Sequence, residues 1–191
     1  FGAEKILGEE INLAALAGTA NKCLHGAPGI SFVMAHPDVW SNTLTEPSTV
    51  YFNLFDYFQA QYADGFSPFT PATHVAFAFK VALDEFFDSG GWHQRNRLFD
   101  SRAKRIAGSL LELGVKTLLP TADYSSVLYS YLLPTGVSYA ALHDFLKTNG
   151  FVIYQGQGNL SETIFRISTM GEITEEKISL LCTLFNEFLG P

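Results

Sequence analysis

The stretch TANKCLHGAPG, residues 19–29, decides how the fold of this chain is interpreted. It follows small apolar residues, LAALAGTA at 13–20, and precedes ISFVMA at 30–35, which we predict to be a buried strand. Lys22 therefore stands at the end of a small apolar strand, directly before a turn rich in Gly and Pro. Because burial disfavours the charged ammonium, a partly buried lysine can act as a neutral amine and form a Schiff base. The alternative is a loop lysine whose ammonium reaches water, which local sequence alone favours.

The composition of the chain excludes several classes of protein. The chain has 191 residues, with 12 Lys and Arg against 19 Asp and Glu, a formal net charge of −7 and 47% hydrophobic residues. Such a chain can bury a sizeable core, which excludes a disordered polar protein. The acidic balance argues against a nucleic-acid partner, because phosphate contact needs a basic patch. No apolar run reaches about 18 residues, so we predict no membrane partner.

The start of the chain and its cysteines bear on its origin. Phe1 opens the sequence without an initiator Met and without the basic and apolar regions of a signal peptide. Cys23 and Cys182 cannot make a disulfide framework, which favours a reducing compartment. We therefore expect a cytoplasmic protein and a processed or truncated chain.

Two long helices organise the middle of the sequence. Thr70, with a proline next to it, predicts a helix start at which Thr70 caps free backbone N–H groups. The helix that follows is apolar almost all round, so we expect it to be buried. A second helix over residues 92–113 has apolar residues at spacings of three and four, with Arg102 on the opposite, polar face. We predict two parts, residues 1–91 and 92–191.

Short elements alternate in the rest of the chain. Their order, β-β-α-β-β-α, describes a compact α+β unit with helices on one face of a small sheet. We predict strands over residues 115–119, 126–132, 151–154 and 163–168, and helices after the capping residues Ser138 and Thr174.

Arg166 is the second candidate for chemistry. It stands between Phe165 and Ile167 on a predicted strand, where burial of an arginine without an anion is costly. Its planar fork suits a carboxylate or a phosphonate held by two hydrogen bonds. The alternative is an outward-facing residue, since Phe165 and Ile167 would share the other face of the strand.

Other known motifs are missing from the sequence. The five histidines show no zinc-ligand spacing, so we predict no metal site. The pair Gly156 and Gly158 lacks the third glycine of a dinucleotide-binding loop, and no GxSxG nucleophile elbow is present.

Several segments together resemble one enzyme family. Residues 19–29 resemble the lysine motif of class V aminotransferases, which use pyridoxal phosphate on fold type I. Within that class, ANKCLHGAPGISFV most resembles the 2-aminoethylphosphonate–pyruvate transaminases. Later segments agree in order and spacing: FTPATH at 69–74, WHQR at 92–95, GFVIY at 150–154, FRI at 165–167 and Gly171-Glu172. The resemblance implies an α/β fold, namely the end of the large mixed-sheet domain followed by a small α+β domain.

The resemblance also implies a role for individual residues. Lys22 would bind pyridoxal phosphate covalently and then move a proton as general base. Asn21 would contact the cofactor phosphate, and Thr70 would reach the cofactor phosphate of the other subunit in a homodimer. For Thr70 alone, simple helix capping is the alternative. Arg166 would hold the acid group of the substrate, so that a small amine passes its amino group to a 2-oxo acid, pyruvate.

The chain matches only the C-terminal half of such an enzyme. In this family the other half carries the cofactor phosphate loop and the Asp that pairs with the pyridinium nitrogen. We therefore expect a piece of a longer transaminase that is inactive alone, with its missing N-terminal half as a partner. Two alternatives stay open: a non-catalytic binding or assembly fragment, and a transaminase of the alanine–glyoxylate or serine–glyoxylate type.

Overall fold

A computed structural model describes residues 1–6, 11–41 and 49–190 of the chain. The chain divides into two compact units. The first contains Phe1 and Lys5–Ser89, and the second contains Gly2–Glu4 and Gly90–Pro191.

The first unit contains a two-stranded antiparallel sheet. Strand β1, Ala15–Thr19, pairs with β2, Ser31–Ala35, so that Ala15 lies opposite Ala35 and Thr19 opposite Ser31. The strand predicted at 30–35 is confirmed, but its predicted burial is wrong, since none of its residues is buried and Met34 is 46% exposed. In the described part of this unit the helices are α1 at Pro37–Ser41, α2 at Leu54–Asp64 and α3 at Thr73–Asp88.

Helix α3 differs from its prediction in two respects. It begins at Thr73, with Ala72 at the N-cap and no capping side chain, because the backbone of Ala72 has a ψ of 78° and is not yet helical. The predicted cap at Thr70 is therefore wrong. The expected burial is also wrong, since Phe77 is 70% exposed and only Ala82 and Phe86 are buried. A two-stranded sheet offers too little apolar surface to cover a helix that is apolar all round.

The described part of the second unit contains three α-helices and a three-stranded antiparallel sheet. The helices are α4 at Gly91–Glu112, α5 at Tyr139–Thr148 and α6 at Glu175–Leu189, and the strands are β3 at Leu128–Leu132, β4 at Tyr154–Gln155 and β5 at Ile164–Ser168. The strand order is β3-β5-β4, so β5 is central.

Both predicted caps of this unit are confirmed. The Ser138 hydroxyl accepts a hydrogen bond from Ala141 N at 3.2 Å. The Thr174 hydroxyl accepts one from Lys177 N at 3.4 Å. These local hydrogen bonds satisfy backbone donors that each helix start leaves free.

Two predicted strands are wrong in extent. Residues 115–119 form only an isolated bridge between Thr117 and Tyr131, in which Leu118 N donates to Ser130 O and Leu132 N to Lys116 O. The strand predicted at 151–154 shortens to β4, because Phe151 N donates to Leu146 O at the end of α5.

The core of the second unit lies between its helices and one face of its sheet. Phe165 of β5 and Phe185 of α6 are fully buried, and Tyr131 of β3 stacks on Phe165 with ring centroids 5.3 Å apart. This packing fixes which face of β5 points inward. Among the described residues, no helix is both long enough and apolar enough to cross a bilayer.

Candidate active site

Lys22 lies in the loop that joins β1 to β2. Backbone hydrogen bonds fix the path of this loop: Ala20 N donates to Ile30 O at 3.1 Å, His25 N to Lys22 O at 3.0 Å and Gly26 N to Ala20 O at 2.8 Å. Two of these bonds involve Ala20, which is fully buried. The loop is therefore constrained on both sides of Lys22.

The underside of the same loop packs against α3. Cys23 and Leu24 are buried, with exposed fractions of 5% and 1%. A Cβ at Gly26 would lie 2.9 Å from the Cβ of Ala20 and 3.2 Å from Cδ2 of Phe79, so only glycine fits there. The Lys22 loop therefore rests on the helix that follows Thr70.

The side chains of Lys22 and Asn21 point away from this packing. Both residues are exposed. In the part of the chain that the structure describes, Lys22 Nζ makes no hydrogen bond or ion pair. Lys22 is therefore exposed, as in the loop-lysine alternative that local sequence favours, and the partial burial that would favour a neutral amine is not found. What the loop offers is an accessible primary amine on a constrained backbone.

Thr70 is exposed and lies three residues before α3. The first turn of this helix has no side-chain cap, and its first backbone bond runs from Ala76 N to Ala72 O at 3.0 Å. Backbone N–H groups at a helix start are donors for an anion.

Arg166 belongs to the second unit and lies on the outward face of β5. Its neighbours Phe165 and Ile167 are buried on the core face, whereas Arg166 is half-buried. Its Nε donates to the carbonyl O of Gln155 on β4 at 2.9 Å. Across the described ranges this is its one side-chain hydrogen bond, so the Nη atoms remain available.

No family model matches this chain. A 2-aminoethylphosphonate–pyruvate transaminase of Bacteroides fragilis is 31% identical over 189 residues, which is 98% of this chain and 52% of that protein. The structure of a subgroup IV aspartate aminotransferase of Thermus thermophilus is 27% identical, with a TM-score of 0.82 over 95% of this chain and 50% of that chain.

This chain has the fold of half of a fold type I aminotransferase. The structure of an alanine–glyoxylate aminotransferase of Nostoc sp. shares the fold at 17% identity, with a TM-score of 0.84 over 98% of this chain and 51% of that chain. The chain spans about half the length of the curated relatives it matches.

Two residues of this aminotransferase fold were missed by the sequence analysis. Tyr154 lies opposite Arg166 in the sheet register, which the sequence could not show because strand pairing is non-local. Arg102, predicted on the polar face of its helix, is only 4% exposed. Its guanidinium donates to carbonyl oxygens far along the chain, so helical periodicity gave no signal of its burial.

No metal centre emerges from the residues that the structure describes. None of their His, Cys, Asp and Glu side chains form a group of three or more that could hold an ion.

Proposed function

We propose that this chain is part of a pyridoxal-phosphate-dependent aminotransferase that moves an amino group from 2-aminoethylphosphonate, or a similar small amine, to pyruvate. The supporting observation is the 31% match over 98% of the chain, together with an accessible amine at Lys22 on a constrained loop. The bound cofactor supplies the electron sink that makes the hydrogen on the amine-bearing carbon acidic.

Lys22 fits the role of cofactor attachment and proton transfer. Its side chain is exposed and has no carboxylate partner among the described residues, so a cofactor can reach it, and the loop bonds to Ala20 and Ile30 hold its backbone in place. Once the substrate amine has taken its place, the Lys22 amine is the general base that accepts the acidic hydrogen and returns it.

Asn21 and Thr70 are proposed to hold the cofactor phosphate. Asn21 is next to Lys22 and equally exposed, so its amide can donate to a phosphate oxygen. Thr70 stands before the uncapped start of α3, where the hydroxyl and free N–H groups favour an anion. In a homodimer, Thr70 of each chain serves the cofactor of the other subunit.

Arg166 is proposed to hold the acid group of the substrate. Its Nε is used by Gln155 O, which fixes the guanidinium plane and leaves the two Nη atoms as a fork. Such a fork binds two oxygens of a carboxylate or phosphonate at once.

Helix α3 exposes apolar side chains that another polypeptide could cover. Phe77, Val81 and Phe87 are 70%, 55% and 69% exposed. Exposed aromatic side chains of this kind mark surfaces that another polypeptide covers. We propose that this surface is covered by a polypeptide that corresponds to the unmatched half of the relatives, and that the assembled enzyme is a homodimer. Cysteines outside a disulfide framework, Cys23 and Cys182, suit the cytoplasm, where we place the enzyme.

The first experiment tests attachment at Lys22. The purified chain, alone and mixed with a polypeptide supplying the other half, is incubated with pyridoxal phosphate, reduced with borohydride and mapped by mass spectrometry. We expect the label on Lys22, with loss of the label and of the yellow absorbance in Lys22→Ala. Lys80→Ala is the matched control, because Lys80 is an exposed lysine of the same unit paired with Asp84.

The second part of the experiment tests turnover. The mixture is assayed with 2-aminoethylphosphonate, alanine and serine as donors, and with pyruvate and glyoxylate as acceptors. The fastest turnover is expected for 2-aminoethylphosphonate with pyruvate, and none for the chain alone. Full activity of Lys22→Ala would disprove the proposal. Cofactor attachment without turnover would favour the non-catalytic alternative.

A further inference from the structure

The side chain of Arg166 leans toward one of its two neighbouring strands. β5 is the central strand, with β3 on one side and β4 on the other. The register places Ser130 of β3 and Tyr154 of β4 directly opposite Arg166. Opposite residues in antiparallel strands present their side chains on the same face. Since Nε of Arg166 is bonded to Gln155 O on β4, the guanidinium lies over β4 and away from β3.

Tyr154 therefore lies on the side toward which the arginine fork is turned. Its side chain is 63% exposed. Within residues 1–6, 11–41 and 49–190, its hydroxyl makes no hydrogen bond, and Tyr154 is the register partner of Arg166 on β4. Because the guanidinium lies over β4, the strand that carries Tyr154, this phenol can join the two Nη atoms as a donor to an anion.

Tyr154 and Arg166 both act electrostatically on Tyr139. Burial raises the pKa of Tyr139, and the nearby Tyr154 raises it further, whereas the positive charge of Arg166 acts in the opposite direction. The Tyr139 hydroxyl itself donates to Ile153 O at 2.8 Å. The Tyr154 hydroxyl, in contrast, makes no such hydrogen bond within the described residues.

The number of oxygens on the acid group distinguishes possible substrates. A carboxylate has two oxygens, which the two Nη atoms of an arginine can satisfy. A phosphonate has a third oxygen that needs another donor. We propose that Tyr154 is a specificity-determining residue whose hydroxyl donates to this third oxygen and so favours phosphonate over carboxylate at Arg166. The inference rests on the proposed role of Arg166 as the group that holds the substrate acid.

Ser130 gives a matched control within the same sheet row. It also lies opposite Arg166 and bears a hydroxyl, but it is on β3, from which the guanidinium leans away. Ser130→Ala and Tyr154→Phe each remove one hydroxyl beside Arg166. The geometry assigns an effect on anion binding only to the second.

The experiment is an NMR titration of the 191-residue chain, read at the Arg166 Nε–H and the Gln155 amide signals. The probes are methylphosphonate, methanesulfonate, which has three oxygens and a single charge, and acetate, which has two oxygens. We expect Tyr154→Phe to weaken the binding of methylphosphonate and methanesulfonate about tenfold or more, the loss of one hydrogen bond to a charged group. Acetate binding to this variant, and binding of all three probes to Ser130→Ala, should change less than about twofold.

Each other outcome contradicts a stated part of the argument. An equal loss for acetate, or an equal effect of Ser130→Ala, would overturn the assignment of Tyr154 and leave Arg166 as the acid-binding residue. If Tyr154→Phe weakens the binding of methylphosphonate but not of methanesulfonate, the charge of the anion and not its third oxygen determines the effect. That result also overturns the assignment of Tyr154. If none of the probes shifts the Arg166 signals in the unmodified chain, both this inference and the proposed role of Arg166 fail.

Discussion

At the scale of single residues, Arg102 shows how a charged side chain can hold a loop. Nη1 donates to Thr169 O at 3.2 Å and Gly171 O at 2.9 Å, and Nη2 donates to Ile173 O at 2.5 Å. Burial lowers the pKa of Arg102, and the charges of Glu172 and Glu175 oppose this shift. The arginine thus ties α4 to the segment that follows β5, the strand that carries Arg166.

We predict that Arg102→Ala destabilises the chain strongly. Removal of the guanidinium leaves carbonyl groups of the loop without donors, which should lower the free energy of unfolding by about 2–4 kcal/mol. Urea denaturation measures this change. The control is Arg105→Ala on the same helix, whose exposed ion pair with Glu175 should contribute less than about 1 kcal/mol. Equal losses for the two variants would show that the buried bonds of Arg102 add nothing.

The sequence predicted some individual residues and not others, for a physical reason. The Lys22 segment was recognised because its eleven-residue pattern is local. Arg102 was assigned to the wrong face because its acceptors lie 67 to 71 residues further along the chain. Tyr154 was missed for the same reason, since its relation to Arg166 exists only once β4 and β5 have paired.

At the scale of elements, the helix starts with local caps were predictable and the strand edges were not. The hydroxyls of Ser138 and Thr174 accept hydrogen bonds from backbone N–H groups three residues further along the chain, so the capping pattern can be read from the sequence. Strand β4 has only two residues, and its length depends on the turn that connects it to β5. That turn begins at Gly156, whose N–H donates to Ile164 O at 3.0 Å.

We predict that Gly156→Ala disrupts this turn. A Cβ at Gly156 would collide with the carbonyl oxygen of Leu160 and lie 2.7 Å from Cγ1 of Ile164. Because the Leu160 oxygen is a backbone atom, the turn itself would have to move to remove the clash. The free energy of unfolding should therefore fall by about 1–3 kcal/mol. The NMR signal of the Arg166 Nε–H should also shift as its bond to Gln155 O is disturbed.

The control for this substitution is Gly108→Ala in α4. No atom lies within 4 Å of a Cβ at Gly108, and alanine favours a helix interior. Gly108→Ala should therefore stabilise the chain by about 0.5–1 kcal/mol. Thermal melting of both variants measures these changes. A Gly156→Ala chain as stable as the parent would show that a Cβ at position 156 does not clash with the Leu160 carbonyl.

At the scale of the whole molecule, burial is divided unequally between the two units. Among the described residues, the second unit has a cluster of 15 buried apolar residues. The described residues of the first unit include few buried apolar ones: Ala20, Cys23, Leu24, Ala82 and Phe86. The sequence indicated enough apolar residues for a sizeable core, but composition does not reveal which of them this length of chain can cover.

This division predicts that the first unit unfolds before the second. A two-stranded sheet is marginal in water, and few buried side chains stabilise the first unit. The chain has two tryptophans, Trp40 in the first unit and Trp92 in the second, so single-tryptophan variants report each unit separately. In urea, the fluorescence of Trp92→Phe should change at a midpoint about 1 M or more below that of Trp40→Phe. Coincident midpoints would show that the two units unfold as one cooperative structure, and the unequal burial would then have no thermodynamic consequence.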